Sequence, residues 1–172
     1  MDFVDAVTTH LCRTLTRGEA EGLLEGTELL ASEPGSVVIH EGADCDGIYF
    51  FLEGKAEVKR RRPDGETARL ALVEAPSLLG ELSLVVGGPS TATVTALTDC
   101  RLRLLRKRDF HARLVEGDLG AYKLLGAVAE VLARRVLRLN DTSLELTERA
   151  QPAAQVQDLA RLREKLFSEW SF

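Results

Sequence analysis

Little in this sequence suits reaction chemistry. Histidine is scarce: His10, His40 and His111 are scattered, with no pair at i, i+4 and no His-x-His, so adjacent metal ligands are missing and no metal site is expected. Cysteine is equally sparse. Cys12, Cys45 and Cys100 lie far apart, with no CxxC and no even framework, which points to a reducing, cytoplasmic setting. Cys45 and Cys100 read as small apolar or turn residues rather than nucleophiles. Neither Gly-x-Ser-x-Gly nor a P-loop occurs. No apolar run reaches the ~18–20 residues of a membrane span, so no membrane partner is expected. Positive charge is in deficit, with a formal net charge of −5, which argues against a general nucleic-acid binder. The start, Met1-Asp2-Phe3-Val4-Asp5, is acidic where a secretory leader would be basic, and no cleaved leader is expected. These absences predict a protein that is not an enzyme and needs no cofactor.

What is present is a core. Hydrophobic residues make up 45% of the 172, enough for one sizeable domain and an appendage. Residues 2–15 predict a helix, with Phe3, Val4, Val7, Leu11 and Leu15 at helical spacing and Asp2 placed to cap it. A second short helix is predicted over Arg17 to Leu24, ending near Gly26. From Thr27 to Arg106 short apolar runs alternate with Gly, Pro and Asp turn signals, the texture of an all-β domain. The runs are Glu28–Ala31, Val37–His40, Ile48–Leu52, Ala56–Arg61, Thr67–Val73, Thr91–Leu97 and Arg101–Leu105. Alternation predicts that Ile48, Phe50 and Leu52 share a face, and that Ala92, Val94, Ala96, Leu102 and Leu104 point inward. Pro63-Asp64-Gly65 marks a hairpin turn. Such strands imply a sandwich or closed roll. Beyond Arg106 the pattern turns helical: a short helix from Phe110 to Leu114 capped by Asp109, a long one from Leu119 to Glu148, a break at Gln151-Pro152-Ala153, and a last helix from Ala154 to Trp170.

Lys59-Arg60-Arg61-Arg62 crowds positive charge near the hairpin tip. The simpler reading is a solvated hairpin whose charges block strand pairing; the other is contact with an anionic surface or partner.

The stretch from Leu79 to Val94 carries the most information. Leu79-Gly80-Glu81-Leu82-Ser83 places a glycine at a helix start with a carboxylate beside it, and Gly87-Gly88-Pro89-Ser90-Thr91 then turns the chain into the next strand. Free amides at such a helix start favour an anion. This stretch resembles the phosphate cassette of the cyclic nucleotide-binding domain family, which includes the catabolite activator protein and kinase regulatory subunits. Gly35, Gly42 before Asp44 and Asp46, Gly54 after Tyr49-Phe50-Phe51-Leu52-Glu53, and Asp99-Cys100-Arg101-Leu102 fit the family in order. The resemblance implies a mainly β fold with flanking helices: a double-stranded β-helix (jelly-roll) barrel, a long C-terminal helix and a terminal helix. The domains expected are 1–26, an N-terminal helical segment; 27–116, the β-roll; 117–149, a dimerisation helix; and 150–172, the terminal helix.

The resemblance also implies ligand contacts. Glu81 would accept the ribose 2′-hydroxyl, the amides of Leu82 and Ser83 would meet phosphate oxygens, and Gly80 and Thr91 would stand beside them. The family places an arginine after the cassette proline; here that residue is Ser90. Without it a bound phosphate loses a charge-assisted contact of about 1.5–3 kcal/mol. Arg69, Arg101 or Arg103 could substitute only by reaching in from another strand.

Leu125, Ala129, Leu132, Val136, Leu139, Ser143 and Leu146 recur in steps of four and three, a heptad seam of about three repeats that predicts a homodimer. In the resembled family this helix also covers the ligand, which places Leu139, Asn140 and Asp141 near the base. The terminal helix has an apolar stripe of Val156, Leu159, Leu162, Leu166 and Trp170. One helix cannot make a helix-turn-helix, so no DNA partner is expected, and a protein partner through the C-terminal helices is. The reading is therefore a cytoplasmic, dimeric regulatory or scaffold module whose phosphate site is degenerate. The alternative is a genuine cAMP or cGMP sensor signalling through its C-terminal helices, and third comes a metal-dependent jelly-roll enzyme.

Overall fold

The computed structural model describes residues 2–44 and 46–149, with side chains through residue 144. The break at Gln151-Pro152-Ala153 and the terminal helix expected over Ala154 to Trp170 lie outside the described residues. Two compact units divide the chain, Met1–Leu132 and Ala133–Phe172.

The first unit opens with helix α1 (Phe3–Ala6), which widens into a π-helical stretch, Val7–Leu11. The helix expected to reach Leu15 thus stops at Leu11, and Leu15 is buried beyond it. Asp2 occupies the N-cap position but makes no side-chain cap bond. Its carboxylate instead meets Arg17 Nη2 at 3.0 Å, because the guanidinium competes for it. Helix α2 (Arg17–Leu24) begins on a capping box in which Thr16 and Glu19 satisfy each other's backbone amides.

Eight strands follow: β1 (Glu28–Ser32), β2 (Val37–Ile39), β3 (Gly47–Glu53), β4 (Lys55–Arg61), β5 (Thr67–Glu74), β6 (Ser77–Leu79), β7 (Thr93–Ala96) and β8 (Cys100–Arg106). They form two four-stranded antiparallel sheets, ordered β1-β8-β3-β6 and β2-β7-β4-β5. Helix α3 (Glu81–Val86) joins β6 to β7, and α4 (Lys107–Val115) and α5 (Leu119–Arg149) follow β8. The fold is therefore mainly β with flanking helices, as the resemblance implied, built as two facing sheets.

The Pro63-Asp64-Gly65 turn links β4 to β5 as expected, closed by Arg62 N–H donating to Glu66 O at 2.7 Å. Helix α4 starts earlier than expected: Arg106 is its N-cap, and Asp109 sits in the first turn rather than capping it. The first sheet is the middle layer. Tyr49, Phe51, Leu102 and Leu104 on one face meet Ile39, Ala56, Val94 and Ala96 of the second sheet. Ile48, Phe50, Leu52 and Leu105 on the other face pack with Val7, Leu23, Phe110, Leu124 and Val128 of the helices. Strand β3 is thus buried on both faces, and each of its two phenylalanines contributes about 1.5–3 kcal/mol of burial.

Candidate functional site

Strand β6 delivers the chain to Gly80 at the edge of the first sheet. Gly80 caps α3 with a φ of 79°, and a Cβ there would lie 2.6 Å from the Gly47 carbonyl oxygen, so both conformation and space require glycine. The first backbone bond of the helix runs from Leu84 N–H to Gly80 O at 3.1 Å, which leaves the amides of Glu81, Leu82 and Ser83 ahead of the helix's own ladder. Glu81, in that first turn, is only 3% exposed, and Ser83 is buried beside it. The Ser83 hydroxyl reaches Pro89 O at 3.4 Å, tying the helix start to the Gly-Gly-Pro turn. Leu82 and Thr91 are exposed.

Ser90 is held by the loop after β2. Gly42 N–H donates to Ser90 O and Ser90 N–H to Ala43 O, both at 2.8 Å. Its side chain, 7% exposed, faces a cavity of about 90 Å³ lined also by Gly80, Tyr49, His40, Asp44 and Asp46, with Val38, Ile39 and Ala43 completing it. Small-molecule sites usually offer roughly 300–1,000 Å³. Among the described residues no arginine or lysine lines this space, whereas two carboxylates do. Tyr49 donates its hydroxyl to Asp46 at 3.4 Å.

The structure brings Gly80 and Ser90 onto one cavity, with Glu81 and Ser83 buried in the same helix turn. The three candidate substitute arginines are elsewhere. Arg101 pairs with Glu53 at 3.0 Å and lies 4.6 Å over the Phe3 ring; Arg103 stands 5.8 Å over the same ring; Arg69 is exposed on β5. His40, Asp44, Asp46 and Tyr49 were not singled out as lining residues by the sequence. Tyr49 reaches the cassette through the β3–β6 pairing, opposite Leu79, and His40, Asp44 and Asp46 belong to the segment that pairs with Pro89 and Ser90.

Along α5 the seam positions differ in role. Leu125 and Leu132 pack against the core of the first unit, and Ala129 is exposed. In the second unit Val136 and Leu139 are 47% and 69% exposed, and Asn140 and Asp141 are exposed too. Leu146 lies on the helix, beyond the described side chains. Among the described residues no group of His, Cys, Asp or Glu side chains could hold a metal ion, and no helix is long and apolar enough to cross a membrane.

Two facing sheets, a glycine-started helix with a buried acid at one edge and a long helix after the last strand define a mainly β domain with flanking helices. The chain belongs to the cyclic nucleotide-binding domain family, whose pattern matches residues 30–116. It is 28% identical over 131 residues to the CRP-like cAMP-activated global transcriptional regulator of Mycobacterium tuberculosis, covering 76% of this chain and 57% of that relative's length. The N-terminal domain of a transcriptional regulator from Streptomyces coelicolor A3(2) is 34% identical, with a TM-score of 0.64 over 82% of this chain and 96% of that one. The regulatory subunit of a cAMP-independent protein kinase A from Trypanosoma brucei, a triple mutant bound to cAMP in its A site, is 25% identical, with a TM-score of 0.62 over 76% of this chain and 44% of that one.

Proposed function

We propose that the chain is a non-catalytic, cytoplasmic regulatory or scaffold module, dimeric through α5, whose cassette has lost strong cyclic-nucleotide binding and which acts through protein contacts of its C-terminal helices. One observation carries this reading: the cavity at Ser90 holds the carboxylates of Asp44 and Asp46 and, among the described residues, no arginine or lysine. A serine hydroxyl can donate one neutral hydrogen bond to a phosphate oxygen. A charge-assisted contact is worth about 1.5–3 kcal/mol, and each ~1.4 kcal/mol is tenfold in affinity. Asp44 repels the same phosphate, and Asp46 does so less, because Arg106 stands 4.0 Å from its carboxylate. A cAMP-independent family member, the Trypanosoma brucei relative, was obtained with cAMP bound as a triple mutant.

Calorimetry with cAMP and cGMP tests the proposal. The wild-type chain should bind no tighter than roughly millimolar, and Ser90→Arg should gain about 10- to 100-fold. Micromolar binding by the wild-type chain overturns the proposal. It would favour the second reading, a genuine cAMP or cGMP sensor, for which the retained Gly80 and the buried Glu81 speak.

A further inference from the structure

The basic run on β4 does not behave as edge protection. Strand β4 lies inside its sheet, between β7 and β5, and charges that block strand pairing belong on an exposed edge. Register shows what the run does instead. Lys59 and Arg61, two residues apart, share one face of β4. Arg69 stands directly opposite Lys59 on β5, Thr67 opposite Arg61, and Thr93 opposite Lys59 on β7. Like charges directly opposite each other across a sheet are unfavourable, so the Lys59–Arg69 pair costs stability unless an anion sits over it.

Local carboxylates only partly answer that charge. Lys59 pairs with Glu57. Glu41 lines the same groove, but its carboxylate accepts the Arg61 backbone N–H at 2.9 Å. Among the described residues the guanidinium groups of Arg61 and Arg69 have no carboxylate partner. Thr93 Oγ1 accepts the Glu41 amide at 3.1 Å, which leaves its own proton to donate. His40, Glu41, Lys59, Arg61, Thr67 and Thr93 line a groove of about 540 Å³, within the roughly 300–1,000 Å³ of small-molecule sites.

The geometry points to a second ligand site here, for a small molecule carrying a diphosphate, in a groove that shares His40 with the Ser90 cavity. One phosphate lies over the cross-strand pair Lys59 and Arg69, whose Cβ atoms stand about 5 Å apart in such a register. The other shares a bridging oxygen with the first, and Arg61, whose backbone stands about 7 Å along the strand, reaches back to it with its long side chain. The guanidinium forks take phosphate oxygens in pairs, and the Thr93 hydroxyl donates a further bond. The site is independent of whether the cassette binds a cyclic nucleotide.

Titration of the full chain with sodium pyrophosphate at constant ionic strength, read by calorimetry, tests this. Saturable binding with a Kd of about 100 μM or tighter is expected. Arg61→Gln alone should weaken it about tenfold and Arg61→Gln with Arg69→Gln further, while Arg108→Gln, which removes an equal charge elsewhere, should not. Without ligand, Arg69→Gln should melt no lower than the wild-type chain, because a like-charge pair is relieved. Absence of saturable binding overturns the inference. So does equal weakening by Arg108→Gln, or an acidic peptide such as hexaglutamate binding more tightly than pyrophosphate.

Discussion

Gly80, like Gly54, meets two constraints at once. Its φ of 79° excludes most side chains, and the Gly47 carbonyl lies 2.6 Å from where a Cβ would be. Gly26 has nearly the same φ, 78°, with nothing within 4 Å, so the pair separates conformation from crowding. Gly26→Ala should cost the left-handed penalty alone, roughly 1–2 kcal/mol. Gly80→Ala should exceed it measurably in urea midpoints, since β3 or α3 must also shift; equal losses would show that the Gly47 carbonyl gives way freely. At this scale the cassette was legible because glycines, an acid and a proline follow one another within a dozen residues of sequence. The cavity's other wall was not legible. His40, Asp44, Asp46 and Tyr49 carry turn and strand signals in the sequence, and only tertiary pairing, with Pro89 and Ser90 on one side and with Leu79 on the other, makes them a lining.

Elements were legible where periodicity ran long enough to fix them. Helix α5 and the alternating strands β7 and β8 needed only their own sequence. Strand β6 did not, because Ser77, Leu78 and Leu79 show no alternation, and Leu78 and Leu79 are buried on opposite faces of the sheet. Alternation in β3 marks one buried face, and the unbroken apolar run from Ile48 to Leu52 is the local sign of the second, which the helices bury. The start of α2 carried a readable signal that the periodicity reading passed over: Thr16 and Glu19 have the spacing of a capping box. Glu19 also joins α2 to α5. The Lys123 ammonium bonds both its carboxylate oxygens, at 2.7 and 2.8 Å, and the Thr16 amide adds a bond at 2.7 Å, together holding the Glu19 carboxyl down to about 2. A folded-state value below the unfolded one, ordinarily about 4.3, contributes stability that is present above that range and lost as pH falls toward 2. Glu19→Gln should therefore flatten the fall in urea midpoint between about pH 4.5 and 2. A slope identical to wild type would mean that the contact to Lys123 does not hold in solution.

For the whole molecule, the first sheet supports both neighbours. One of its faces holds the second sheet, and with it the Ser90 cavity; the other holds α1, α2, α4 and the first turns of α5. All of the described core residues belong to Met1–Leu132, whereas Val136, Leu137, Leu139 and Leu144 of the second unit are exposed apolar residues. Four large apolar side chains within about two and a half turns of helix would be costly in water; the proposed dimer seam covers Val136 and Leu139, whereas Leu137 and Leu144 lie beside it. The two units can therefore be separated by experiment. A chain ending after Leu132 keeps Ala121, Leu124 and Val128 in the core, so it should unfold in one cooperative transition. If the dimer runs through the later half of α5, the same chain should scatter light as a monomer at concentrations where the full chain is a dimer. A truncated chain that stays dimeric would move the interface onto the first unit. One that melts without a cooperative transition would show that the three-layer core depends on residues beyond Leu132.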